Sequence, residues 1–266
     1  MGLTPLLSLY LTAEYPGKGT VLNGVSLDVQ AGEILGLVGQ SGSGKSTLAL
    51  SMLRLLHFKG GSDSGSILFR ETDLMKASEK DMRKLRGKDI SLVMQSPLAS
   101  LNPAMTIGNQ LREAWRAHSN LDGTQVIMET LRQVSLSVDV AFLNRYPRQL
   151  SVGLAQRVLI AMAVLHKPAL LLADEPTSAL DALTQAEILE LFARLNRENA
   201  TAMLYVSHDL LSVASLCHRI AILHEGSIVE QGEPKDIFEN PQHEYTRKLV
   251  NAVPTLRFKS RELIPA

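Results

Sequence analysis

The chain has almost no cysteine. Cys217 is alone among 266 residues, so no intramolecular disulfide can form, and the composition suits a reducing compartment. Its neighbours resemble neither a metal cluster nor an activated nucleophile, so it reads as core. Net charge is missing too. Lys+Arg 27 against Asp+Glu 27 leaves no global basic field for nucleic acid and no charged tail. Long apolar runs are absent. The longest, residues 158–165, is cut by His166-Lys167-Pro168 and is too short to span a bilayer. Residues 3–11 are apolar but lack the basic start and small-residue cleavage site of a signal peptide. Met1-Gly2 opens like a myristoylation site, yet Leu6 stands where Ser or Thr is needed. Repeats and low-complexity tracts are lacking as well. The expectation is a soluble, cytoplasmic protein that reaches a membrane, if at all, by docking on another protein. At 29.1 kDa it can bury the core of one large domain, or of a domain with a subdomain.

What is present begins with Gly39-Gln40-Ser41-Gly42-Ser43-Gly44-Lys45-Ser46-Thr47. An apolar run, Ile34 to Val38, precedes it and a helical pattern follows, so the order is strand, glycine loop, helix. This is the phosphate-loop pattern G-x-x-x-x-G-K-[ST]. Glycines let successive N–H groups turn inward with no Cβ in the way, making a concave anion site. The following helix adds the positive end of its dipole. Lys45 supplies a cation for the β- and γ-phosphates, and the Ser46 hydroxyl is a Mg²⁺ ligand. The chain therefore binds a nucleoside triphosphate, expected to be ATP.

The remaining pattern is α/β. Residues 6–15 read as a strand entering a turn at Pro16-Gly17-Lys18-Gly19, and residues 25–29 alternate like a half-exposed antiparallel strand. The helix after Lys45 is expected to reach about Leu56. A Gly/Ser-rich turn over residues 59–65 and a strand over 66–69 follow. Residues 79–86 read as a charged helix and 90–94 as a strand ending at Gln95. Residues 96–166 are mostly helical, with Val126, Ile127, Thr130, Leu131 and Val134 on one face of a helix over 124–134. Strands return at 170–174 and 202–206 around a helix over 184–196. Continuous apolar strands alternating with helices indicate a parallel sheet covered on both faces. A hairpin follows over 219–230, then helices over 234–238 and 243–250, then a frayed end over 257–266.

The apolar strand at 170–174 ends in Asp174-Glu175. Beside a phosphate loop, Asp174 would hold Mg²⁺ through water and Glu175 would polarise the attacking water. Ser151 precedes a helical stretch with Val158, Leu159, Met162 and Leu165 on one face, so it is a candidate N-cap. With Gly153 beside it, that helix start is an anion site in its own right.

Five further segments resemble those of the ATP-binding subunits of ABC transporters, in that family's order and spacing, from about Leu6 to Pro254. Tyr15 stands where the family keeps an aromatic that stacks on adenine; a core aromatic is the other reading of this residue. Gln95 matches the glutamine at the junction with the helical subdomain, which touches Mg²⁺ and water. Leu150-Ser151-Val152-Gly153-Leu154-Ala155-Gln156-Arg157 matches the signature segment. Ser178-Ala179-Leu180-Asp181 matches the loop that reaches across a dimer, and Ser207-His208-Asp209 the switch histidine. The resemblance implies a fold with a P-loop NTPase core, a mixed sheet carrying an antiparallel β subdomain, and an inserted helical subdomain. The expected division is core over 1–95 and 167–240, helical subdomain over 96–166, and a short C-terminal extension over 241–266. It also implies a head-to-tail dimer in which one subunit's signature closes the other's ATP.

Two stretches resemble the oligopeptide, dipeptide and nickel importer branch. They are residues 86–103, with Met94-Gln95-Ser96-Pro97-Leu98, and residues 240–249, with Asn240-Pro241-Gln242-His243-Glu244-Tyr245-Thr246. Glu244 stands where that branch usually has Pro. Its longer C-terminal extension is shortened here, and no cluster-binding cysteines are present. The resemblance implies a second, paralogous ATPase subunit or a homodimer, two membrane permeases, an extracytoplasmic solute-binding protein, and a peripheral position on the cytoplasmic face of the inner membrane. One departure stands out. Val152 replaces a Gly, and Leu154 a Gln or Met. A β-branched residue resists positive φ and puts methyl groups where backbone should approach phosphate, so the partner's ATP site is expected to be weakened. Other readings are an asymmetric partner that holds ATP with little turnover, or a non-transport ABC ATPase. No sustained heptads of a DNA-repair ATPase appear.

Overall fold

The computed structural model describes residues 4–253; the stretch read as a frayed end lies outside them. In chain order the elements are β1 (Leu7–Tyr15), β2 (Gly19–Val29), β3 (Ile34–Val38), α1 (Lys45–Met52), β4 (Ser62–Phe69), β5 (Thr72–Asp73), α2 (Glu79–Leu85) and β6 (Ile90–Val93). Then come α3 (Pro97–Ser100), α4 (Ile107–Arg116), α5 (Thr124–Gln133), α6 (Val140–Leu143), α7 (Val152–Val164), β7 (Leu170–Asp174) and α8 (Ala182–Asn199). The last are β8 (Ala202–Ser207), α9 (Leu210–Leu216), β9 (Arg219–His224), β10 (Ser227–Gly232), α10 (Pro234–Glu239) and α11 (Glu244–Ala252).

Two sheets form. One has six strands in the order β10-β9-β3-β8-β7-β6, parallel except for β10; the other has four, β2-β1-β4-β5, and is antiparallel. The apolar strands of the larger sheet divide their side chains by period two. Ile34 and Val38 on β3, Leu171 and Ala173 on β7, and Met203 and Tyr205 on β8 join the core formed with α4 to α9. Leu35 and Leu37, Leu170 and Leu172, and Leu204 and Val206 join the core formed with α1 and the antiparallel sheet. Each buried Leu or Val contributes about 1.5–3 kcal/mol. A one-residue slip would exchange the two faces of a strand, so this register is strongly specified.

Gly36 is the exception within β3. A Cβ there would lie 2.2 Å from Val213 Cγ1 and 3.0 Å from Cys217 Sγ, so α9 packs directly on the strand backbone. Cys217 is buried, as its neighbours indicated, and burial pushes its thiol pKa up.

Boundaries differ from expectation where a tertiary partner decides them; β2 begins at Gly19 rather than Val25, pairing with β1 down to Tyr15↔Gly19. The helix expected to reach Leu56 stops at Met52. Arg54 takes φ +54, its guanidinium donating to the Leu74 and Met75 carbonyls at 2.7 Å, and a short 3₁₀ turn, Leu56–Lys59, follows. β4 begins at Ser62, inside the expected turn, because β1 offers a ladder down to Glu14↔Ser62. α8 starts earlier than expected because Asp181 caps it, its carboxylate accepting from the Leu183 and Thr184 N–H groups.

Candidate functional site

β3 delivers the chain into the glycine loop, and α1 begins at Lys45. Gly44 is its N-cap at φ 106, and a Cβ there would sit 2.5 Å from Leu22 Cδ2, so only glycine fits. No side chain caps this helix, which leaves its first N–H groups free for an anion. The Ser43 hydroxyl oxygen is buried without a partner. Lys45 is 5% exposed, and its Nζ donates to the carbonyls of Gly39 (2.8 Å) and Gln40 (2.9 Å). Burial lowers its amine pKa, opposed by Glu175 and Asp174.

Asp174 ends β7 with one carboxylate oxygen buried and unpartnered. Burial holds its carboxyl above the usual range, opposed by a hydrogen bond from Ser46. Glu175 follows at φ 45, its N–H donating to Val206 O at 3.0 Å. A left-handed non-glycine residue costs about 1–2 kcal/mol, and this one aims its carboxylate into a cluster. Glu175 Oε1 lies 3.7 Å from Lys45 Nζ, while Oε2 lies 3.3 Å from His208 Nδ1 and accepts from Gln95 Nε2 at 3.1 Å. Phosphate loop, Gln95, Glu175 and His208 thus meet at one point, although they come from four separate parts of the chain.

A cleft of about 860 Å³ opens over this cluster. Gly39, Ser41, Gly42, Gly44, Lys45, Ser46 and Thr47 line it, with Gln95, Glu175 and His208. Tyr15 stands on its wall, half-buried and packed over Gly61, where a Cβ would be 3.0 Å from the ring. Lys18, Lys59 and Leu249 also line the cleft and were missed. Lys18 lies in a turn whose lysine was a usable signal; Leu249, on the last described helix, had none.

The Ser46 hydroxyl bonded to the Asp174 carboxylate, with the side-chain oxygen of Gln95 as a further candidate, offers oxygen donors of the kind that would suit Mg²⁺. The buried, unpartnered oxygen of Asp174 supports the fit. Among the described residues there is no group of three or more His, Cys, Asp or Glu that could hold a metal.

Ser151, Gly153 and Asp181 do not line the cleft. Ser151 caps α7 by accepting from the Leu154 N–H at 3.3 Å. Val152 is the first residue of that helix, and neither it nor Gly153 has positive φ. The backbone objection to Val152 is therefore corrected: a β-branched residue meets no forbidden conformation there. A Cβ on Gly153 would lie 2.8 Å from Thr184 Cγ2, and the Thr184 hydroxyl donates to Asp181 at 2.7 Å. The signature segment and the Asp181 loop thus stand together, outside the lining of the cleft, while Ser178 of that loop borders Glu175 and His208.

A family model described as ABC transporter matches residues 22–178, more than half of the chain. The chain belongs to the ABC transporter family. It is an ABC-type ATPase and binds nucleotide. A second model, for the oligopeptide/dipeptide transporter C-terminal region, matches residues 229–266. The cassette is 42% identical over 248 residues to a probable peptide ABC transporter ATP-binding protein, y4tR of Sinorhizobium fredii, covering 92% of this chain and 74% of that protein. It is 41% identical over 256 residues to the dipeptide transport ATP-binding protein DppD of Bacillus subtilis, covering 94% of this chain and 76% of the relative. Among solved structures it resembles the ATP-binding cassette MJ0796, a dimer in a post-hydrolysis state bound to ADP and Pi. There the TM-score is 0.72 and the identity 28%, with 86% of this chain and 98% of that one covered. It also resembles cbiO1 of Clostridium perfringens, with TM-score 0.76, identity 26%, and 95% and 97% covered. Among the described residues, no helix is long and apolar enough to cross a membrane.

Proposed function

We propose that this cassette is the energy-coupling ATPase of an importer for peptides, or for nickel or another chelated metal. The observation that carries the reading is the convergence of Lys45, Gln95, Glu175 and His208 at the glycine loop. The peptide and dipeptide transport relatives, with the matched C-terminal region, favour peptides as the solute.

The phosphate chain lies in the N–H groups of the loop, and Lys45 exchanges its two carbonyl partners for the β- and γ-phosphates. Tyr15 stacks on the base. Glu175 accepts a proton from the water that attacks the γ-phosphorus, the bridging bond breaks toward ADP, and inorganic phosphate forms. His208 contacts the γ-phosphate, and Gln95 orients Glu175 through its amide. Ser46, Asp174 and Gln95 would hold Mg²⁺, which would neutralise phosphate charge when bound.

Ser151 and Gly153 complete the opposite site, on a second ATPase subunit, paralogous or identical, in a head-to-tail dimer reached through the loop at Asp181. The core over 1–95 and 167–240 binds ATP, the helical part over 96–166 moves, and residues 241–266 form an extension. The pair docks on two membrane permeases at the cytoplasmic face of the inner membrane, and an extracytoplasmic binding protein selects the solute. The test is ATP-driven uptake of a labelled dipeptide, with nickel in parallel, by the assembled transporter. Lys45→Ala should abolish uptake and weaken ATP binding; uptake unaffected by that change would sink the reading.

A further inference from the structure

The last described helix, α11, packs against the glycine loop. Tyr245 in its first turn is 6% exposed, and its hydroxyl accepts a hydrogen bond from the Gln40 N–H at 3.2 Å. Gln40 is the second residue of the loop, and its own carbonyl receives Lys45 Nζ at 2.9 Å. One loop residue is thus held on both sides, by the lysine of the loop and by a tyrosine 205 positions away in the chain.

The tyrosine is itself fixed. Its ring stacks on His224, with centroids 3.8 Å apart and planes 12° from parallel. His224 ends β9, which pairs with β3, the strand that feeds the loop. Glu230 on β10 accepts from the Gln242 and His243 N–H groups at 2.7 and 2.9 Å, and His243 Nδ1 caps α11 by accepting from the Tyr245 N–H. Burial raises the phenol's pKa and keeps it protonated. Leu249, one turn further along α11, lines the cleft over the loop.

We infer that Tyr245 is a positioning residue for ATP binding, holding the Gly39-Gln40 edge of the loop in its binding conformation before nucleotide arrives. A partly buried N–H needs a partner. The tyrosine hydroxyl provides one from outside the anion cradle, so it does not compete with phosphate. A loop already ordered loses less freedom on binding. Without the hydroxyl, the Gln40 peptide can turn, and the nucleotide must order it on binding. The inference rests on the reading of this loop as the ATP site.

The test uses the full chain. Tyr245→Phe keeps the ring and the stack and deletes one hydrogen bond. ATP and ADP dissociation constants are expected to rise about three- to tenfold, with kcat at saturating ATP in the assembled transporter within about twofold. Hydrogen exchange at the Gln40 amide is expected to be slow in the wild type without nucleotide and fast in Tyr245→Phe, a change that a packing role alone would not produce. Lys248→Ala, which breaks only an exposed pair with Glu244 on the same helix, should leave the affinity unchanged. If Tyr245→Phe does not fold, His224→Ala should weaken binding by removing the stack, and His224→Phe should restore it. A folded Tyr245→Phe with wild-type affinity, or an unprotected Gln40 amide in the wild type, overturns the inference. A wild-type chain that binds no ATP removes the site reading and this inference together.

Discussion

Replacing Glu175 with Gln separates what the cluster binds from what it catalyses. The side chain keeps its size, and at φ 45 glutamine carries the same Cβ penalty as glutamate, so the backbone has no new reason to move. What disappears is a charge 3.7 Å from Lys45 Nζ and 3.3 Å from His208 Nδ1. At an effective dielectric of about 20, the first of these pairs is worth about 4 kcal/mol before desolvation is subtracted. Burial already lowers the Lys45 pKa, and losing Glu175 removes the largest force opposing that shift. In the nucleotide complex the phosphates take over as counter-charge, and the carboxylate's repulsion of them is gone. ATP affinity is therefore expected to hold or rise, while turnover falls by about 10²–10⁴, the usual worth of a general base. The assay pairs ATP dissociation constants with phosphate release, and adds sedimentation to detect a closed ATP-bound dimer. A folded Glu175→Gln protein that hydrolyses ATP at the wild-type rate would refute the assignment. A loss of ATP binding instead would make Glu175 a ligand rather than a base.

Two more substitutions probe residues that do not line the cleft. Asp181→Ala deletes the cap of the 18-residue helix α8 and is expected to lower the denaturation midpoint, whereas Asp181→Asn keeps the cap. If Asn preserves stability but lowers turnover of the assembled pair, Asp181 acts across the dimer; if both track stability alone, it does not. Val152→Gly is expected to raise turnover through the partner's site by about two- to threefold, a fraction of a kcal/mol, because no backbone strain is relieved. Unchanged turnover makes the valine innocuous.

The glycine loop, the acidic strand end and the strand–helix alternation were legible because each is local. A strand buried on both faces must be apolar throughout, and a phosphate cradle must be glycine-rich. The convergence of Gln95, Glu175 and His208 was legible only through the family resemblance, since nothing in those segments encodes their meeting at 3.1–3.3 Å. Boundaries failed where long-range partners decided them. Arg54 leaves the helical region to reach carbonyls 20 and 21 residues away, and the polar start of β4 is a strand because β1 is beside it. The backbone conformation of Val152 was misjudged for a related reason. Its chemistry is visible in sequence, but its φ is set by the Ser151 cap. Tyr245 stood in a stretch marked by the importer resemblance, but nothing local showed its contact with the loop, for its partner is a backbone N–H 205 positions away.

The lone cysteine has a practical consequence. Cys217 is 6% exposed beneath α9, and burial keeps its sulfur as an unreactive thiol. A thiol reagent can then reach it only when α9 lifts from the Gly36 backbone, so its labelling rate is a clock for that opening. In the folded chain, a cysteine placed on the surface would be labelled first by a wide margin. Probes can therefore be attached at chosen surface positions without removing the native residue.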